Sequence, residues 1–209
     1  MARIVKKAAE RRSEIVQAAR RLFQTKNYAN ATMQDLMETL GVAKGTIYHY
    51  FKSKEALLEA VVEDIVENNI AEMRTLIEKS TGNALEKIQT LIKKGNISAD
   101  NRALLDYLHE GGNEAMHVRL LAATLMKQAP LYGKLIEQGC KEGLFQTETP
   151  LECAEFVLSA VQFLTDLGIY RWTEGDLTRR AHAFPRLIEQ MLNAPKGSFQ
   201  FLEQPGIFE

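Results

Sequence analysis

The chain has 209 residues, 45% hydrophobic and 25% charged, a composition typical of a globular protein with a buried core. Two cysteines at no metal-ligand spacing argue against a zinc site and a disulfide framework, and no apolar run is long enough to cross a membrane. Counted from the sequence, residues 1–60 carry a net charge of +5 and residues 61–209 a net charge of −6. This asymmetry predicts that only the first part contacts a polyanion.

The first two predicted helices have clear boundaries. Apolar residues at helical spacing predict a helix over residues 13–26. Thr32 and Asp35 stand at the spacing of a capping box, in which side-chain oxygens accept hydrogen bonds from the free N–H groups of a helix start. Gly41 is expected to end the second helix, because glycine adopts the left-handed conformation of a tight stop at little cost.

A short third helix is predicted over residues 43–51, and a long fourth helix from Lys54 to about Lys79. Three short helices with a glycine turn between the second and the third form a helix-turn-helix unit. At about 100° per residue, Ile47 and Phe51 share one side of the third helix and face the core. The opposite side then offers bare backbone, hydroxyl groups, an imidazole and an ammonium group, from Lys44, Gly45, Thr46, Tyr48 and His49.

Three motifs in this segment are specific. They are Thr32-Met33-x-Asp35-Leu36, Gly41-Val42 and Gly45-Thr46-Ile47-Tyr48-x-Tyr50-Phe51-x-Ser53-Lys54-Glu55-x-Leu57-Leu58. Through them, residues 13–58 resemble the DNA-binding domain of the tetracycline-repressor (TetR) family of bacterial transcription regulators. The resemblance implies a homodimer that binds a pseudo-palindromic operator in double-stranded DNA with its third helix in the major groove. It also implies a small effector that binds the other domain and releases the DNA.

The resemblance implies two classes of DNA contact. Contacts to bases or to nearby backbone are implied at Lys44, Gly45, Thr46 and His49. Contacts to the DNA backbone are implied at Thr32, Tyr48, Tyr50 and Lys54.

Helices continue through the rest of the chain. They are predicted over residues 83–96, from about residue 100 to the break at Gly111-Gly112, over residues 114–127, and from Pro130 to Gly143. Thr149 to Glu152 combine a capping box with a proline at the first helical position and predict a helix that runs to about Tyr170. A last helix near residues 177–192 contains Pro185, which predicts a kink or a break near residues 181–184.

The predicted fold is all-α. A helix-turn-helix DNA-binding domain is expected over residues 1–53, a helical effector-binding and dimerisation domain over residues 54–194, and a non-helical tail over residues 195–209. The helix near residues 150–170 is apolar on most sides and therefore needs partners on most sides. The resemblance implies that it forms the homodimer interface together with the helix near residues 177–192, and the alternative is the core of a monomer.

Polar side chains within these apolar helices are candidates for effector binding. They are Tyr107, His117, Tyr132, Ser159, Gln162 and Asp166. The alternative for each of them is a polar residue that is exposed or bonded within the protein. Apolar residues outnumber them, so the expected effector is a mostly apolar small molecule.

No group of residues indicates an enzyme. Glu114-x-x-His117 has the spacing of one di-iron ligand pair, but the second pair that such a site requires is missing. We interpret it as a pair on a helix surface. We expect a cytoplasmic regulator that needs no cofactor or metal and has no membrane partner. The main hypothesis is a repressor that a small apolar effector releases from DNA, and the alternative is a constitutive co-regulator or architectural DNA-binding protein without a ligand.

Overall fold

The computed structural model describes residues 8–94, 107–108 and 114–204. These residues form α-helices, one 3₁₀ helix and turns, without a strand, which confirms the all-α class. The helices are α1 (Ala8–Lys26), α2 (Met33–Leu40), α3 (Lys44–Tyr50), α4 (Lys54–Lys79), α5 (Ala84–Lys94), α6 (Glu114–Lys141), α7 (Pro150–Leu164), α8 (Glu174–Leu192) and the 3₁₀ helix Gln200–Glu203. Of the helix predicted from about residue 100 to Gly111, only residues 107 and 108 are described, and both are helical. The break at Gly111-Gly112 lies outside the described residues.

Two compact units divide the chain. The first comprises residues 1–67 and 97–116, and the second comprises residues 68–96 and 117–209. The predicted boundaries after residues 53 and 194 divide the chain by function, into a DNA-binding part, an effector-binding part and a tail, and they stay predictions. None of the described helices combines the length and the apolarity that a membrane crossing requires.

The first unit is held together by an apolar core and by polar contacts between helices, one of which joins α1 to α4. Its most buried side chains include Ile15, Phe23, Leu36, Ile47, Leu57 and Val61. Asp64 of α4 joins α1 to this core, since its carboxylate accepts hydrogen bonds from Gln17 Nε2 at 2.9 and 3.0 Å and from Arg20 Nη1 at 3.3 Å. The contact therefore fixes how α1 lies against α4.

The boundaries of α2 are formed as predicted. Thr32 Oγ1 accepts a hydrogen bond from Asp35 N at 3.1 Å, and Asp35 Oδ2 accepts one from Thr32 N at 3.0 Å, which is the reciprocal pattern of a capping box. Gly41 has a φ of 62° in the left-handed region, and Val42 N donates to Met37 O at 3.1 Å. Any other residue at position 41 would be strained.

The helix break predicted before Pro130 is wrong, because α6 continues through this proline. Proline lacks an N–H group and leaves the carbonyl of Met126 without its helical partner. Met126 and Pro130 both lie on the exposed side of α6, where water can hydrate that carbonyl. Ala129 and Leu131 on either side of the proline are buried, so packing holds the helix together.

The helix predicted over residues 150–170 starts where expected but ends earlier. Pro150 occupies the first turn of α7, yet Thr149 makes no capping hydrogen bond, and its Oγ1 lies 4.0 Å from Cys153 Sγ. The helix ends at Leu164. Val161 O accepts both the last helical hydrogen bond, from Thr165 N at 3.1 Å, and one from Thr165 Oγ1 at 2.8 Å. Asp166 Oδ1 then accepts from Ile169 N at 2.9 Å, and this side-chain hydrogen bond stabilises the turn that follows the helix.

The last helix starts earlier than predicted and has no break. Thr173 and Asp176 form a capping box that the sequence analysis missed, with both hydrogen bonds at 3.2 Å. α8 then continues through Pro185 to Leu192. Phe184, Ile188 and Leu192 are buried on one face of α8, and this packing keeps the helix in place on both sides of the proline.

Residues 195–204 of the tail pack within the second unit. The prediction of a non-helical tail needs one correction, since Gln200–Glu203 form a 3₁₀ helix. Glu189 Oε1 accepts hydrogen bonds from Gly197 N at 2.8 Å and Phe199 N at 3.1 Å, and the Phe199 ring stacks on Phe145 with centroids 5.9 Å apart. Hydrogen bonds to Glu189 and the stacking of its ring on Phe145 therefore both hold Phe199 in its buried position.

The capping box of α2 predicts a measurable dependence of stability on pH. The hydrogen bond from Lys26, followed by those from the Thr32 backbone and side chain, lowers the pKa of Asp35 from 3.8 to about 2. A lowered pKa stabilises the folded state above the unfolded value, near pH 4, and this contribution is lost as the pH falls through about 2. We expect Asp35→Asn to lower the free energy of unfolding at pH 7, and the difference from the wild type to shrink between pH 4 and pH 2.

Urea unfolding at each pH measures this difference. Glu38→Gln on the same helix removes the same charge outside the cap and serves as the control. A difference between the wild type and Asp35→Asn that stays constant from pH 5 to pH 2 would contradict the role of the Asp35 carboxylate.

Candidate nucleic-acid interface and ligand cavity

α3 has one apolar side and one polar side. Ile47 is 0% exposed and Phe51, the residue after the helix, is 3% exposed, whereas Lys44, Gly45 and His49 are exposed. This confirms the orientation that helical spacing predicted. A Cβ atom added at Gly45 would meet no atom within 4 Å. Packing within the chain therefore does not require glycine, and the bare backbone lies open to another molecule.

The side chains around this exposed backbone are partly ordered by contacts with one another. Lys44 Nζ lies 5.4 Å from the centroid of the Tyr48 ring, and the His49 and Tyr50 rings meet edge to face at 5.0 Å. The hydroxyl groups of Thr46, Tyr48 and Tyr50 make no hydrogen bond within the described parts of the chain. They keep their full capacity for phosphate oxygens or base edges.

Lys54 has a structural role beside its predicted phosphate contact. Its Nζ lies 4.1 Å from the centroid of the Tyr28 ring and donates a hydrogen bond to Ala29 O at 3.3 Å. Burial lowers the pKa of Lys54. An ammonium group has three hydrogens, so two remain for a phosphate. Thr32, the other predicted backbone contact outside α3, is exposed at the cap of α2.

The second unit contains a cavity of about 200 Å³. Every helix of the unit contributes to its wall, through Met73 of α4, Leu91 of α5, Tyr132 of α6, Val157 of α7 and Ile188 of α8, and the tail contributes Phe199. Among the described residues that line the cavity, Gln128 and Tyr132 have polar side chains and none is charged. The described part of the chain has no group of three His, Cys, Asp or Glu residues that could hold a metal ion.

Of the six predicted effector residues, Tyr132 lines this cavity and the other five do not. Tyr107 belongs to the first unit, where its ring lies against Tyr28 with centroids 4.5 Å apart. Ser159 Oγ donates to Glu155 O at 2.6 Å within α7. Gln162 is half-buried on the same helix.

His117 and Asp166 are brought together away from the cavity wall. His117 Nε2 lies 2.9 Å from Asp166 Oδ2, and the two side chains are 3% and 7% exposed. The interpretation of Glu114 and His117 as a surface pair is therefore wrong for His117. The buried histidine contacts the turn after α7, where the carboxylate of Asp166 also accepts from Ile169 N.

Gln128 is a cavity residue that the sequence analysis missed. Its spacing from Tyr132 and Ile136, four and eight residues further along α6, places all three on one helix face. Because Tyr132 was predicted to bind the effector, the polar residue one helical turn before it, Gln128, could have been predicted from the same spacing.

Two family profiles match the chain. The family described as "Bacterial regulatory proteins, tetR family" matches residues 15–61, which run from α1 into α4. The family described as "Tetracyclin repressor-like, C-terminal domain" matches residues 96–187. The predicted DNA-binding domain and the helical domain after it are therefore each matched by a family profile.

Individual relatives are named as regulators of transcription. The chain is similar to the HTH-type transcriptional repressor KstR2 of Mycobacterium tuberculosis, with 24% identity over 156 residues that cover 73% of this chain and 78% of KstR2. It is also similar to the HTH-type transcriptional regulator UidR of Escherichia coli, with 36% identity over 67 residues, 32% of this chain and 34% of UidR. A crystal structure of a transcriptional regulator from Cytophaga hutchinsonii matches with a TM-score of 0.63 and 21% identity, over 91% of this chain and 96% of that chain. This last similarity shows the fold.

The open space at Gly45 predicts opposite effects on stability and on DNA binding. We expect Gly45→Ala to raise the free energy of unfolding by about 0.5–1 kcal/mol, because alanine favours the helix and meets no neighbour. The same methyl group would stand between the backbone and DNA, and we expect about tenfold weaker DNA binding, or about 1.4 kcal/mol. Thr75→Ala, at an exposed helical position, is the control for helix propensity. Unchanged DNA affinity in Gly45→Ala would contradict close approach of DNA at this residue.

The buried pair of His117 and Asp166 predicts strong coupling between two substitutions. Asp166→Leu leaves a buried imidazole without this partner and is expected to lower the free energy of unfolding by about 2–3 kcal/mol. The double variant His117→Leu with Asp166→Leu should lose clearly less than the sum of the single losses, because neither buried polar group then remains without the other. Chemical unfolding of the four proteins measures the coupling. Additive single losses would show that the pair does not act as a unit.

Proposed function

Because this chain belongs to the TetR family of DNA-binding transcriptional regulators, we propose that it is a repressor that binds a pseudo-palindromic DNA operator as a homodimer and is released by a small effector. The role is one of binding rather than catalysis, and its place is the cytoplasm, where the operator is found. The single observation that carries the proposal is the solvent-facing side of α3. Its open backbone at Gly45 stands beside Lys44 and His49 on the third helix of the helix-turn-helix unit.

The charge distribution supports DNA as the partner of this surface. Residues 1–60 carry a net charge of +5, while the remainder of the chain is acidic. Attraction to phosphates then acts mainly on the part that carries α3 and disfavours other orientations. Lys44, Gly45, Thr46 and His49 are proposed to contact bases or nearby backbone. Thr32, Tyr48, Tyr50 and Lys54 are proposed to contact the DNA backbone.

Exposed apolar side chains on α7, on the turn after it and on α8 support the homodimer. Phe156 is 66% exposed and Leu187 is 55% exposed in the single chain. Other large apolar side chains exposed in these segments are Leu151, Phe163, Leu164 and Leu167. A second copy that packs its own α7 and α8 against these residues would remove them from water.

The cavity of the second unit favours an effector-responsive repressor over a constitutive DNA-binding protein. An apolar cavity of about 200 Å³ loses packing contacts and costs stability when it is empty. A ligand that fills it offsets this loss. To change DNA binding, the ligand must prefer one conformation of the dimer, typically by about 1–3 kcal/mol.

Selection of bound duplexes from a random pool, followed by footprinting, tests the proposed function. We expect an inverted repeat whose half-sites lie one DNA turn or a multiple apart, about 34–36 Å for each turn, as two-fold symmetry requires. Phe156→Glu is expected to shift the protein to a monomer by analytical ultracentrifugation and to weaken operator binding. Thr75→Glu adds the same charge at an exposed polar position and should change neither property. A single asymmetric half-site, or full operator affinity in a monomeric Phe156→Glu variant, would overturn the dimer.

A further inference from the structure

The cavity of the second unit restricts the chemistry of the molecule that can occupy it. We propose that it binds an uncharged, mainly apolar molecule slightly larger than a benzene ring, with one hydrogen-bonding group, and that the C-terminal tail forms part of the binding wall. This inference deepens the effector-responsive part of the proposed function and rests on it. It adds the ligand class and a selectivity role for the tail.

The volume sets the size of the ligand. A cavity of about 150 Å³ holds one benzene molecule in a protein core, and the cavity here measures about 200 Å³. A ligand of about eight to ten non-hydrogen atoms therefore fits without rearrangement of the wall. Larger molecules require residues of the wall to move.

Two neighbouring polar groups set the position of the ligand's polar atom. Gln128 and Tyr132 lie four residues apart on α6, so their side chains share one helix face. Neither the Gln128 amide nor the Tyr132 hydroxyl makes a hydrogen bond within the described parts of the chain. Burial raises the pKa of Tyr132, which keeps its hydroxyl neutral and available as a donor. The amide and the hydroxyl together can bind one hydroxyl or carbonyl group.

The absence of charge from the described wall excludes ionic ligands. A carboxylate or ammonium group in this cavity would lose its hydration without gaining a partner of opposite charge among the described lining residues. Such a transfer is strongly unfavourable. The ligand is therefore neutral at physiological pH.

The tail supplies two side chains of the wall. Phe199 and Leu202 line the cavity and are 3% and 4% exposed. Hydrogen bonds from Gly197 N and Phe199 N to Glu189 hold this segment on α8. Because the segment is fixed in this way, we infer that the Phe199 ring limits the length of ligand that fits at this side. A smaller residue at position 199 would admit a longer ligand.

Isothermal titration of the 209-residue chain without DNA tests the ligand class with three probes. p-Cresol carries one hydroxyl group, p-xylene has nearly the same size without it, and benzoate carries a charge. We expect p-cresol to bind more tightly than p-xylene, and no binding of benzoate. In the double variant Gln128→Leu with Tyr132→Phe, the Kd of p-cresol should rise about three- to tenfold while that of p-xylene stays the same. Binding of benzoate, no binding of p-cresol, or an unchanged Kd of p-cresol in the folded double variant would overturn the ligand class.

A second pair of variants tests the tail. Phe199→Ala should allow 1-naphthol to bind more tightly than p-cresol, which reverses the order expected for the wild type. Phe201→Ala is the control, because the Phe201 ring contacts Phe199 in a tilted arrangement, with centroids 6.0 Å apart, but does not line the cavity. Thermal unfolding verifies that both variants are folded. An unchanged order of the two ligands in Phe199→Ala would overturn the role of the tail.

Operator binding is measured separately by fluorescence anisotropy, so the two proposals can fail independently. Operator binding without any binding of the probes would count against the ligand inference alone. Binding of p-cresol without any specific operator would count against the proposed function and leave the ligand class in place.

Discussion

Burial of Ile47 and Phe51 is the constraint on which the candidate DNA interface depends. Both side chains are almost fully inaccessible in the core of the first unit, and together they fix the rotation of α3 about its axis. Once this rotation is fixed, Lys44, Gly45 and His49 face solvent, and no additional contact is needed to orient them. The open backbone at Gly45 and the hydroxyl groups beside it are therefore a consequence of core packing.

Most polar groups of the second unit that sequence analysis singled out are used within the chain. Ser159 bonds to its own helix, and His117 and Asp166 bond to each other. Gln128 and Tyr132 differ because they face a cavity and have no hydrogen-bonding partner within the described residues. This contrast separates polar groups that bond within the fold from the two polar groups that we propose to bind a ligand.

Local signals predicted the first unit well. The capping box at Thr32 and the stop at Gly41 involve residues a few positions apart, so their hydrogen bonds follow from local sequence. The second unit was predicted less well at its prolines. A proline removes one hydrogen bond, but whether a helix breaks there depends on packing from distant residues, and buried neighbours hold α6 together at Pro130 and α8 at Pro185.

The sequence by itself determined the all-α class, the helix-turn-helix unit, the exposed side of α3 and the family, because periodicity, caps and closely spaced motifs are local properties. Only the tertiary structure decided which polar groups meet. His117 and Asp166 are 49 positions apart, and Phe199 reaches the same cavity as Gln128 from the end of the chain. Such encounters depend on how whole helices pack, and the spacing of residues along one helix contains no information about a partner on another.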